Sequence, residues 1–164
     1  MKNIYLVMHN IRSLHNVGSM FRTADAMGVK KIYLTGYTPA PFDIFGKVRK
    51  DFQKTALGAE SYVEWEKIKS INSVFKKVKK EKVFIAALEQ AKNSILLCHF
   101  ATKSLLSNPI AKRGVAVVVG NEVKGISPAI LKKCDRILEI PMLGKKESLN
   151  VSVAAGIALY AFSR

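Results

Sequence analysis

The sequence predicts an α/β fold: a mostly parallel sheet with helices on both faces. Three observations carry this. Short apolar runs alternate with segments of helical period, the signature of a chain that passes repeatedly from strand to helix. One run, Gly114-Val115-Ala116-Val117-Val118-Val119, is apolar throughout, as a strand covered on both faces requires. The 164 residues are 49% apolar, enough to fill a sizeable core without disulfides or metals, so 1–164 is read as a single domain.

Taken in order, six strands are expected near 3–8, 31–35, 61–64, 82–88, 114–119 and 136–140. The first contains the run Ile4-Tyr5-Leu6-Val7-Met8, which is too short for a signal-peptide core and lacks a cleavage site. A first helix runs from about Asn16 to Met27, with Gly28 as its C′ residue. The stretch Gly36 to Lys54 carries Pro39, Pro41 and Gly46, then Lys47, Arg49, Lys50 and Lys54, and reads as a long loop entering a basic segment. Between Lys67 and Lys80, Ile71, Val74, Phe75 and Val78 share one helical face, leaving the lysines at 76, 77, 79 and 80 mainly outside it. A last helix, about Asn150 to Phe162, is apolar nearly all round, which suits burial in the fold or in a subunit interface.

Composition narrows the function classes. Lys and Arg total 27 against 12 Asp and Glu, a formal charge of +15. Such a balance points to a polyanionic partner, with a simple solubility charge as the bland alternative. Only Cys98 and Cys134 are present, so neither a disulfide framework nor a cysteine-paired zinc site is available. His99 beside Cys98 does not meet metal-ligand spacing, and no metal is expected. Nothing approaches a membrane span. The chain is therefore expected to be cytoplasmic.

Three strings concentrate polar and glycine residues where strands end. The first, Asn10 to Asp25, holds Asn16 and Arg22 at a strand's carboxyl end, where parallel sheets bind ligands. Taken alone, Asn16 reads more simply as a helix N-cap and Arg22 as a solvated helix residue. The second, Val119-Gly120-Asn121-Glu122-Val123-Lys124-Gly125-Ile126-Ser127, leaves the apolar strand through a turn with two glycines. It is not a dinucleotide fingerprint, and Glu122 is either a functional group or a helix cap. The third runs Ile140-Pro141-Met142 to Ser148-Leu149-Asn150, with Ser148 or Asn150 supplying an N-cap.

Together these strings resemble the SpoU, or TrmH-type, branch of the SPOUT RNA methyltransferases. The resemblance spans the chain: an Asn with an Arg six residues on (Asn16, Arg22), Gly-x-Glu (Gly120, Glu122), and Ile-Pro-Met followed by Ser-Leu-Asn (Ile140 to Met142, Ser148 to Asn150). It implies a C-terminal deep trefoil knot, an exception to the rule that chains stay unknotted, and a homodimer. The implied activity is methyl transfer from S-adenosylmethionine to a ribose 2′-hydroxyl of structured RNA, tRNA or rRNA. A non-enzymatic RNA-binding relative and a base-modifying branch are the rival readings, and the Asn-to-Arg motif favours the ribose.

By the same resemblance, Gly120, Ile140, Met142 and Leu149 hold the cofactor, and Arg22, Asn16, Glu122, Ser148 and Asn150 form the catalytic group. Because guanidinium is a persistent cation, Arg22 is read as stabilising developing alkoxide charge or holding the adjacent phosphate, not as a base. His15 is an alternative proton acceptor, since imidazole titrates near neutrality. Lys47, Arg49, Lys50 and Lys54 are the expected RNA-binding residues, with Lys145 and Lys146; the lysines at 76, 77, 79 and 80 are further candidates, with a solvated helix face as the more usual reading of such a charge run.

Overall fold

In the computed structural model, residues 3–101 and 113–163 are described. They contain a seven-stranded sheet in which every neighbouring pair is parallel. The strands are β1 (Asn3–His9), β2 (Lys31–Thr35), β3 (Trp65–Ile68), β4 (Phe84–Leu88), β5 (Ile95–Leu96), β6 (Gly114–Val119) and β7 (Arg136–Glu139), ordered β3-β2-β1-β6-β4-β7-β5. The helices are α1 (Leu14–Ala26), α2 (Lys50–Ala56), α3 (Ile71–Lys80), the short α4 (Leu97–His99) and α5 (Pro128–Leu131), and α6 (Val151–Ser163).

Strand alternation divides the core in two. Ile4, Leu6 and Met8 of β1 and Val115, Val117 and Val119 of β6 face Val17, Met20 and Phe21 of α1 and Ala155, Leu159 and Phe162 of α6. Tyr5, Val7, Ala116 and Val118 face Ile71, Val74, Phe75 and Val78 of α3. Two-sided burial explains why β6 reads as an unbroken apolar run. The α3 stripe is the one the helical period predicts.

Several local expectations need correction. The third strand lies at Trp65–Ile68, not 61–64. Left-handed backbone at Leu57 and Gly58 and a 3₁₀ turn at Ala59–Ser61 take up the preceding residues, so Val63 enters the core before pairing with β2 begins. The helix expected from Lys67 starts at Ile71, because residues 65–68 are strand. A seventh strand, Ile95–Leu96, escaped the sequence pattern because two residues carry no period. The 36–54 stretch is also more ordered than a plain loop, with an antiparallel bridge between Phe42 and Val48 and the start of α2.

Connections place the site. β1 leads to β2 on one side of the sheet, while β6 leads across β4 to β7 on the other. The carboxyl ends of adjacent β1 and β6 therefore form a topological switch point, the usual ligand crevice of an open parallel sheet. From that crevice α1 and α6 run side by side in the same direction along one face of the sheet: Asn150 bonds Asn16, Gly156 faces Thr23, and the Ser163 hydroxyl reaches the Met27 sulfur.

On its other flank, α1 is pressed against α2 at Gly18. A Cβ there would collide with Thr55 and come within 2.7 Å of the Phe52 carbonyl oxygen. The Phe21 and Phe52 rings seal the same contact edge to face at 5.2 Å. Gly18→Ala is expected to destabilise the fold by about 1–3 kcal/mol, since overpacking exceeds the helix-propensity gain. Chemical denaturation of the variant against wild type measures this.

Candidate active site

The site begins at the N-terminus of α1. Ser13, not Asn16, is its N-cap: extended at φ −77 and ψ 116, it accepts a hydrogen bond from the Asn16 amide. That leaves the Asn16 side chain available. Its Nδ2 donates to Glu122 Oε1 at 3.2 Å, and its Oδ1 accepts from Asn150 Nδ2 at 3.2 Å. Asn150 is the residue of the third string that caps α6, its Oδ1 accepting from the Ser152 amide at 2.8 Å. One hydrogen-bonded chain thus joins the three strings, across 106 and 134 residues of sequence.

Glu122 is the hub. Its carboxylate accepts from the Arg12 amide at 3.0 Å and the Ser13 amide at 3.0 Å as well as from Asn16. It therefore serves the N-terminus of α1 and not a helix of its own, and a negative charge there is favoured by the helix dipole. Burial pushes its carboxyl up, but the donations from Arg12, Ser13, its own amide and Asn16 outweigh this and hold it below the usual carboxylate range.

Beside this network is a cleft of about 220 Å³. Gly120, Glu122, Ile140, Met142, Ser148 and Leu149 line it, together with Leu88, Glu89, Gln90 and Glu139. All four residues expected to hold a cofactor meet there. The walls combine apolar side chains, backbone polar groups and carboxylates, a donor set that fits an adenosine joined to a cationic sulfonium. At Gly120 a Cβ would stand 2.7 Å from the Gly125 carbonyl carbon, so the turn closes only over a bare backbone. Among the described residues, no three His, Cys, Asp or Glu side chains gather as metal ligands.

Sequence reasoning overlooked several supports. Glu89 accepts the Ile126 amide at 2.8 Å, and Gln90 Nε2 donates to the Glu147 carbonyl at 3.0 Å, tying β4 to the second and third strings. Asn121, nearly buried, donates to the Asn10 carbonyl and the Tyr37 hydroxyl, while its Oδ1 receives the Val123 and Lys124 amides. Apart from the Val123 and Lys124 amides, the partners are distant in sequence, so no local pattern marks these contacts.

Other expected residues stand apart. Arg22 is exposed and six residues beyond Asn16, about 9 Å along the helix. Among the described residues its side chain makes no hydrogen bond or ion pair, and it does not line the cleft. His15 lies 3.9 Å from Asp51 and its carbonyl accepts from Thr55, so it faces α2. Lys47, Arg49, Lys50 and Lys54 are exposed on and before α2, near the start of α1. The lysines at 76, 77, 79 and 80 belong at the other end of the molecule. They close α3 beside Glu81, which bonds Tyr5 at the amino end of β1, and Lys77 is paired with Glu66.

A family model described as the SpoU rRNA Methylase family matches residues 3–160. The chain belongs to this family. It is 34% identical over 157 residues to the 23S rRNA (guanosine-2′-O-)-methyltransferase RlmB of Blochmanniella floridana, covering 96% of this chain and 56% of that protein. It is 31% identical over 163 residues to the tRNA (guanosine(18)-2′-O)-methyltransferase of Aquifex aeolicus, covering 99% and 70%. The crystal structure of the A. aeolicus TrmH/SpoU tRNA modifying enzyme superposes with a TM-score of 0.79 at 29% identity, covering 99% of this chain and 75% of that one. The chain spans little more than half the length of several curated relatives it matches.

A carboxylate held lower in the folded than in the unfolded chain stabilises the fold fully above the unfolded value, about 4.3, and loses that effect as pH falls through the folded value. Glu122→Gln should therefore be less stable than wild type at pH 7. The gap should narrow as the pH drops below about 4.3. Thermal unfolding of both proteins between pH 7 and 3 checks the sign.

Proposed function

We propose that the chain transfers a methyl group from S-adenosylmethionine to the ribose 2′-hydroxyl of a nucleotide in structured RNA, tRNA or rRNA, with 1–164 as one catalytic unit. The observation that carries this reading is the Asn16–Glu122–Asn150 network bordering a cleft lined by Gly120, Ile140, Met142 and Leu149. The family membership and the names of the Blochmanniella and Aquifex relatives support it. With RNA as substrate, the reaction belongs in the cytoplasm.

S-adenosylmethionine supplies an electrophilic methyl on a sulfonium, a donor that needs no metal. The protein's part is alignment and charge. Apolar side chains of Ile140, Met142 and Leu149 and the backbone at Gly120 hold the adenosine part. Ser148, lining the same cleft, orients the third string against it. Asn16, fixed from both sides by Glu122 and Asn150, positions the ribose. Arg22, uncommitted among the described residues, offers a planar fork to the developing alkoxide or the neighbouring phosphate. Lys47, Arg49, Lys50 and Lys54, with the exposed Lys145 and Lys146, neutralise RNA phosphates.

Two further features belong to this reading. The 140–150 segment, tied to Gln90 and Asn16, is the stretch threaded to make the deep trefoil knot. The active form is a homodimer joined through α6, whose face away from the core leaves Val153 51% and Ile157 41% exposed. Light scattering should give twice the chain mass at micromolar concentration. Ile157→Glu should shift it toward a single chain.

The decisive test uses radiolabelled methyl donor and total RNA, followed by digestion to nucleosides. A 2′-O-methylated nucleoside is expected; a methylated base or no label overturns the reading. Arg22→Ala should slow single-turnover methylation about a hundredfold or more, the scale of one lost oxyanion donor. Arg22→Lys should recover little, and cofactor binding by calorimetry should persist in both.

A further inference from the structure

A second cavity, of about 520 Å³, lies next to the cofactor cleft and is lined by Arg12, Tyr37, Pro39, Asn121, Val123 and Lys124. The two cavities share Asn121 and Val123, so the turn that carries Glu122 is the wall between them. Resting on the methyl-transfer reading, we propose that this second cavity receives one unstacked nucleotide of the substrate RNA flanking the acceptor ribose. Tyr37 is the stacking platform for its base, and Arg12 and Lys124 clamp its phosphates.

Tyr37 is 57% exposed, yet its position is fixed at several points. Its hydroxyl accepts from Asn121 Nδ2 at 3.0 Å, and its amide donates to Asn10 Oδ1 at 3.3 Å. On either side of it the Lys67 ammonium, whose pKa burial lowers, donates to the carbonyls of Gly36 and Thr38. Thr38 is tied in turn to the Met8 carbonyl and the Ile11 amide. An aromatic side chain that is both rigid and open pays little ordering entropy on binding, and every nucleobase offers it a π face.

Arg12 and Lys124 supply the charge. Their amides are used inside the protein, toward Glu122 and Asn121 respectively. Their side chains are exposed and make no hydrogen bond or ion pair among the described residues. The cavity volume falls within the range of about 300–1,000 Å³ that holds small ligands. Direct attachment of Tyr37 to Asn121, the neighbour of Glu122, couples base capture to the residue that fixes the catalytic network.

Binding without methyl donor tests this separately from catalysis. The probes are a fluorescein-labelled eight-nucleotide oligoadenylate and an abasic ribose-phosphate chain of equal length. Wild type should prefer the oligoadenylate. Tyr37→Ala should weaken that binding about tenfold while leaving the abasic chain unchanged. Tyr37→Phe, which keeps the ring and loses only the hydroxyl anchor, should retain most of the affinity. The double variant Arg12→Ala/Lys124→Ala should weaken both probes and reduce the slope of log affinity against log salt by about 1.4, roughly 0.7 for each single-strand phosphate contact. Equal affinity of wild type for the two probes, or oligoadenylate binding untouched by Tyr37→Ala, overturns the proposal. Normal ribose methylation alongside either result leaves the methyl-transfer reading standing; binding as expected without any methylation overturns that reading and, with it, the acceptor-flanking role, keeping only a nucleotide site at Tyr37.

Discussion

The Glu122 carboxylate is the constraint around which the site is assembled. It leaves the end of β6, reaches the N-terminus of α1, and there receives two backbone amides and the Asn16 side chain. Without it those amides would face the crevice unpaired, and Asn16 would have only Asn150 to hold it. Because Asn150 also caps α6, the same contact sets where the last helix starts. One charged group thus ties together the switch point of the sheet and both helices above it.

The remaining architecture keeps that arrangement stiff. Parallel alignment of α1 and α6 repeats the register set at Asn16 and Asn150 down to Met27 and Ser163, so the two helices cannot slide independently. Gly18 lets α2 approach α1 more closely than any side chain would allow, which brings the basic residues around Lys50 beside the site. On the opposite side of the 121–124 turn, Asn121 binds the Tyr37 loop to the same backbone. The 220 Å³ cleft, the Asn16–Glu122–Asn150 network and the Tyr37 cavity share one short turn as their common wall.

Much of the fold was legible in the sequence, for reasons that can be named. β6 is covered on both faces, so it had to be apolar at every position. α1 and α3 each bury a single stripe, so their apolar residues had to recur at helical spacing. β3 was displaced because the run from Ser61 to Glu64 has strand-like composition, while the left-handed backbone at Leu57 and Gly58 postpones pairing until Trp65. β5 is too short to leave any period.

The sequence alone determined the alternation of strands and helices, the positive charge and the three strings that mark the family, because each is written in neighbouring residues or fixed spacing. What the Asn16 side chain binds, and whether Glu122 served its own turn or a distant helix, were decided only by tertiary structure. So were the placement of the lysines at 76 to 80 away from the crevice and the anchoring of Tyr37 beside it. The physical reason is common to all of these. A hydrogen bond or a shared cavity wall depends on where strand order brings chain ends together, and strand order depends on non-local pairing that no stretch of sequence contains.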